Sequence, residues 1–178
     1  ISDLSDTQRQ TMYGIKDTAT AIGTFRGSTA VQQSFFPLGG GGGYTITNNP
    51  VSLSTVDGWY VDFDQNSGER VNLDPALVFG NLLVVTNQPT NISACTTGGV
   101  SYLYEFDYCK GSYLLAAPSQ RIGGQLGNSI VVGFIVIRLP SGALKVVTTF
   151  AGGEKTTGAV TSSVTGKVRR VSWRELTE

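Results

Sequence analysis

The sequence predicts an all-β fold, a meander of antiparallel hairpins, and three observations predict it. Glycine accounts for 23 of 178 residues, with Ser, Thr and Asn recurring between short apolar stretches, a composition suited to tight turns. Apolar and polar residues alternate with period two, as from Trp59 to Asp64 and from Ser101 to Asp107, the pattern of a strand with two unlike faces. Long runs of helix formers are missing. Apolar residues make up 40% of the chain and aromatics 10%, which supports a packed core and excludes disorder. The expectation is one β module over 1–178, sandwich-like or partly propeller-like, with 1–56 a weakly defined lead-in.

Taken in order, Asp3 to Ala21 reads as one short N-terminal helix, capped by Asp3 or Ser5, with Met12 and Ile15 on one face. Phe25 to Phe36 reads as one or two strands. Gly39 to Gly43 forms a mobile surface loop, and Tyr44 to Thr47 is a strand broken by Asn48-Asn49-Pro50. Trp59, Val61 and Phe63 point inward from a half-buried strand, Gln65 to Gly68 turns, and Glu69 to Leu73 returns as its hairpin partner. A second hairpin joins Ala76–Phe79 to Leu82–Thr86 through Gly80-Asn81. Ser101 to Asp107 places Tyr102, Tyr104 and Phe106 on one face, with Ser112 to Ala116 as a candidate partner. Ile130–Leu139 and Leu144–Phe150 flank the turn Pro140-Ser141-Gly142, and Lys167 to Trp173 is the last strand.

The chemistry is defined largely by what is missing. There is no histidine, which removes the commonest general base, the commonest metal ligand and every Ser-His or Cys-His nucleophile. The expectation is that the chain is not an enzyme and has no catalytic residue. Thirteen basic residues balance thirteen acidic ones, against a nucleic-acid partner. No apolar run is long enough for a membrane span. Beginning at Ile1, the chain reads as a mature product or an excised piece.

Cys95 and Cys109 are the two cysteines. Two thiols without histidine do not complete a zinc site, and their spacing is too wide for a redox C-x-x-C pair. The expected reading is a structural disulfide, with the chain reversing at Gly98-Gly99, and hence an oxidising compartment. Free buried thiols, or a partner cysteine elsewhere, are the alternatives. Asp62, Asp64 and Asn66 form D-x-D-x-N, which resembles the opening of a calcium loop. However, Gly68 falls at the seventh position and Glu69 too early for the closing ligand, so a polar hairpin tip is the competing reading. Trp59 is expected in the core. Glu69 and Arg70 suggest a buried Arg–carboxylate pair, with Asp74 or Asp62 as the partner carboxylate.

Five segments together resemble the C-terminal region of the PilC/PilY family of type IV pilus tip-associated adhesins and assembly factors. They are Gly58-Trp59-Tyr60-Val61-Asp62-Phe63, Ser67-Gly68-Glu69-Arg70-Val71, Val85-Thr86-Asn87-Gln88-Pro89, Cys95 to Gly99 running into Ser101 to Asp107, and Ser172-Trp173-Arg174-Glu175-Leu176. The resemblance covers Asp57 to Gly111 and the last ten residues well. It implies export to the cell surface, outer membrane or pilus tip, and a β-propeller-like region acting in pilus biogenesis and adhesion. The implied partners are minor pilins or the tip complex, a host or mineral surface, and the remainder of the chain's own protein. It also implies that Trp173 and Arg174 close the last strand onto the fold, while Trp59, Gly68, Glu69 and Arg70 are expected to be structural from the strand and turn pattern itself. The family's calcium loop of alternating aspartates has no match here, so no cofactor carries over. Two other functions compete: a purely structural domain docking through Ile130–Leu139 at a sheet edge, and a periplasmic quinoprotein-type enzyme fragment.

Overall fold

The computed structural model describes residues 6–19, 22–41, 43–93 and 96–161. Over these the fold is built of strands, with no α-helix. Twelve strands form three sheets. The central sheet has six, in the order β3 (Phe35–Pro37), β4 (Tyr44–Ile46), β9 (Arg121–Gly127), β8 (Thr96–Asp107), β7 (Asn81–Ser93) and β6 (Ala76–Val78). One outer sheet is β1 (Gln10–Ile15), β5 (Gly58–Phe63) and β2 (Ala30–Gln33). The other is the meander β10 (Val131–Arg138), β11 (Leu144–Phe150) and β12 (Lys155–Val160).

The three sheets stack, and the alternation of β7 and β8 explains how. Val84, Tyr102, Tyr104 and Phe106 face β5, where they join Trp59, Val61 and Phe63 in one core. Leu83, Val85 and Leu103 face the opposite way and pack on Val131, Val146, Phe150 and Val160 in a second core. A strand with both faces covered carries apolar residues on both, and these strands do. Of the expected alternatives, the arrangement is sandwich-like.

Several elements depart from the sequence expectations. The helix expected over Asp3–Ala21 is replaced, within the described part, by β1, whose residues 10–15 pair antiparallel with β5. Tertiary pairing overrides a weak local preference here. A Cβ on Gly14 would overlap the Trp59 indole, so the ring lies where a bulkier strand would block it. Glu69–Leu73 does not return along β5, because both edges of β5 are taken: β1 pairs on one side and β2, in parallel, on the other. Only Arg70 makes a bridge, and it is to Asn87. Covered on both edges and both faces, β5 is buried throughout, not half-buried as its alternation predicts. The β6–β7 register pairs Val78 with Asn81, so the turn residues are Phe79 and Gly80, both left-handed, at φ 50° and 82°. The lead-in supplies four of the strands. The strands β9 and β12 were not expected: β9 carries Ile122 as its one β-branched residue, and in β12 Gly158 and Ala159 interrupt the β-branched run that announces a strand.

Candidate functional site

Three of the five segments that carry the family resemblance lie wholly within the described residues, a fourth does from Thr96 onward, and they meet on β7. Thr86 and Asn87 are adjacent there, so their side chains point to opposite faces, and each anchors one layer. Thr86 Oγ1 donates to Glu69 Oε1. Asn66 Nδ2 donates to Glu69 Oε2 at 2.8 Å, and the Tyr104 hydroxyl also bonds the carboxyl. Glu69 is 1% exposed. Burial pushes its pKa up, and the bonds from Thr86, Asn66 and Tyr104 only partly oppose that. Burial, then the charges of Tyr44 and Glu69, push the Tyr102 hydroxyl up to about 12. Burial and Glu69 also raise that of Tyr104, so the tyrosines beside Glu69 stay protonated and Tyr104 remains a donor.

On the other face, Asn87 clamps the start of β10. Its Oδ1 accepts from the Val131 N–H and its Nδ2 donates to the Val131 carbonyl, both at 2.9 Å. Ser101 Oγ donates to Asn87 Oδ1 at 2.6 Å, and Asn87 Nδ2 also bonds Asn72 Oδ1 at 2.7 Å. The Asn87 backbone exchanges both its hydrogen bonds with Arg70. The side chain thus acts as a one-residue strand partner for Val131, joining the central sheet to the β10 meander.

The predicted residues fall as follows. Gly68 occupies the turn at φ 76°. Glu69 is buried as expected, but its partners are hydroxyls and an amide, not an arginine. Arg70 donates to the Asp6 carbonyl at 2.9 Å. Asp62 does have arginine partners, Arg26 closely and Arg9 at 3.8 Å, both of which sequence reasoning missed. Arg26 Nη2 donates to Asp62 Oδ2 at 2.6 Å, Thr11 Oγ1 donates to Asp62 Oδ1 at 2.5 Å, and the guanidinium lies 4.5 Å over the Tyr60 ring. The hydrogen bond to Asp62 raises the Arg26 pKa.

Two of the D-x-D-x-N side chains, Asp62 and Asn66, are engaged within the protein. A guanidinium holds Asp62, and Asn66 turns its donor, not an oxygen, toward Glu69. Among the described residues no three His, Cys, Asp or Glu side chains gather as metal ligands.

Trp59 is buried, donating from Nε1 to the Tyr108 carbonyl at 2.9 Å and stacking on Phe106. Cys109 is a half-buried free thiol. Cys95, Trp173 and Arg174 lie outside the described residues. The expected disulfide needs Cys95 and so falls outside the described residues. The chain does not reverse at Gly98-Gly99; these residues pair with Thr90 and Pro89 inside β8, a strand of 12 residues from Thr96 to Asp107.

Gln33 was also missed. It is fully buried and donates to the Asn49 and Lys110 carbonyls while accepting from Thr47 and Asn49. A polar residue inside an otherwise strand-like stretch was the available signal for Gln33 and Asn87. A cavity of about 590 Å³ opens between β9 and β12. Its carboxylate, Glu105, accepts from Asn81 Nδ2 at 2.9 Å and from the Thr161 amide at 2.8 Å.

No protein-family model matches the chain, and no solved structure matches it. Over 138 residues the chain is 28% identical to a protein of Xylella fastidiosa named a Type IV pilus biogenesis factor PilY1 homolog. The match covers 72% of this chain and 9% of that protein. The chain thus spans about a tenth of the length of a distant relative that is named for pilus biogenesis.

Proposed function

We propose that the chain is a non-catalytic β module of an extracytoplasmic type IV pilus biogenesis factor, acting at the cell surface or pilus tip as a rigid scaffold for assembly and adhesion. The observation that carries this reading is the similarity over 138 residues to the relative named above. The packing supports the scaffold role. The polar groups that look chemical in the sequence, Glu69 and Asp62, are engaged in bonds within the fold, and Asn87 joins two of its layers. The proposed partners are minor pilins and the remainder of the protein.

The test is an in-frame chromosomal deletion of the codons for this segment, with surface pilin and secretion of the remaining protein measured together. The reading expects surface pili to fall while the shortened protein is still exported. Unchanged piliation with normal export contradicts it.

A second reading, a structural domain docked on its own protein, draws on β10. That strand lies at the edge of its sheet, and it exposes Val132, Ile135 and Ile137. In that case the shortened protein fails to fold and is degraded before export.

A further inference from the structure

The ends of β1 and β8, the start of β5 and the β6–β7 hairpin meet around an apolar socket of about 290 Å³. Trp59 and Leu82 line it, and its rim is formed by Ile15, Leu53, Leu77 and Tyr108, each between 37% and 59% exposed. Large apolar side chains gathered around one concavity need a cover. The strand β6 ends the central sheet. Its two-residue turn at Phe79-Gly80 makes Val78 and Asn81 the hydrogen-bonded closing pair. Leu77 and Leu82 then form a non-hydrogen-bonded pair, which points the Leu77 N–H and C=O outward from the sheet edge. Among the described residues no backbone hydrogen bond takes up either group. A strand added there sets the side chain opposite Leu77 on the face of Leu77 and Leu82, over the socket.

The chain itself brings a segment to this corner. After β12 it arrives at Thr161, whose N–H donates to Glu105 Oε2 at 2.8 Å and whose carbonyl accepts from Asn81 Nδ2 at 3.0 Å. Asn81 belongs to the closing pair of the hairpin, so the chain is fixed one strand away from the open edge. Asn81 is 1% exposed, and its Oδ1 has no hydrogen-bond partner among the described residues, which leaves an acceptor for a donor arriving at the same place. Residues 162–178 follow, and in them 167–173 has the period-two pattern of a strand, with Val171 and Trp173 on one face. Residues 162–166 extend to about 17 Å, against about 10 Å from β7 to a strand added beyond β6. The other residues outside the description do not serve. Those before Asp6 leave from the opposite end of β1, where Gln10 pairs with Phe63 and Asp6 bonds Arg70. Ser93 pairs with Thr96 at the far end of β7, and Thr20, Ala21 and Gly42 carry no large apolar side chain. A segment tethered at Thr161 competes at an effective concentration of about millimolar, which a partner protein or a second copy in free solution does not match.

We propose that residues 167–173 add to β6 as one more strand of the central sheet and seat the Trp173 indole in the socket. A dry cavity of about 150 Å³ holds a benzene ring, so one of about 290 Å³ has room for an indole. The indole and the apolar rim cover each other, and the added strand blunts an edge that otherwise pairs with another molecule. The corner is closed by the chain's own segment, and a partner reaches it only by displacing that segment. The inference stands on the exit point of the chain and on its residue pattern, and it does not rest on the pilus assignment.

The test is solution NMR of the full chain with its leucine methyls labelled. The expected result is a nuclear Overhauser contact from the Trp173 indole to the methyls of Leu77 and Leu82, unchanged on dilution. Trp173→Ala removes the ring-current shift of those methyls and speeds exchange of the Leu77 amide by about tenfold or more. Arg170→Ala, on the opposite face of the segment, leaves the shifts in place. In the Trp173→Ala chain the Trp59 indole N–H, bonded to the Tyr108 carbonyl, stays slow to exchange, which shows that the fold is intact. Methyls of Leu77 and Leu82 without a contact to Trp173 in the parent chain overturn the proposal. So does a contact found only between differently labelled molecules in a mixed sample, which assigns the socket to a second copy.

Discussion

Glu69 shows how a side chain that reads as chemistry becomes structure. Its carboxyl is buried among Thr86, Asn66 and Tyr104, and among the described residues no cation bonds it. Burial raises its folded pKa above the ordinary 4.5. The folded state therefore holds the proton more tightly than the unfolded chain. That contribution to stability is complete below about pH 4.5 and is lost as pH rises through the raised value. Glu69→Gln does not titrate, so its stability relative to the parent increases across that window, as measured by urea unfolding from pH 4 to 8. A pH-independent difference contradicts the assignment. Trp59 makes a second residue-scale case. A Cβ at Gly14 or Gly111 would run into its indole. Gly14→Ala is expected to cost about 2 kcal/mol by overpacking. Gly111→Ala adds a left-handed penalty of about 1 kcal/mol, its φ being 64°. Both substitutions shift the Trp59 fluorescence as its bond to Tyr108 is lost; a neutral Gly14→Ala refutes the packing.

Among the elements, strands that carry their own alternation were legible and strands that borrow stability from neighbours were not. Ser101 to Asp107 declares its two faces in sequence, and those faces line the two cores. The strand β1 does not, because Gly14 and its threonines make sense only once Trp59 and β5 are beside them. The closer arginine partner of Asp62 was invisible for a similar reason: Arg26 is 36 residues away in sequence, and no local pattern links the two. The strand β8 also bears on the expected disulfide. Peptide mapping without reductant is expected to find Cys109 open to alkylation and no peptide cross-linked between Cys95 and Cys109; recovery of that cross-link contradicts an unbroken β8 from Thr96 to Asp107.

For the whole molecule, the stack depends on a few polar connections between layers that otherwise touch through apolar side chains. Asn87 is the clearest. Asn87→Ala leaves the Val131 carbonyl and Asn72 Oδ1 without the donor that bonds them, while the Val131 amide keeps Ser101 Oγ and the Ser101 hydroxyl keeps the Ser129 carbonyl, with an expected cost of about 1–3 kcal/mol. Chemical denaturation is expected to show the β10 meander exchanging amide hydrogens earlier than the central sheet. The all-β class was legible from composition and period, because both report local physics. The order of the strands was not, because β5 finds one partner upstream in parallel and another upstream in antiparallel, a choice fixed only by the assembled core.

The scaffold account is tested most directly by measuring surface pilin in strains carrying chromosomal Glu69→Gln or Asn87→Ala. The account predicts that piliation follows the stability of the fold: Glu69→Gln, which removes an ionisable group and preserves the packing, keeps pili at the parental level, and Asn87→Ala loses them in step with its loss of stability. Loss of pili in a stably folded Glu69→Gln strain would contradict it.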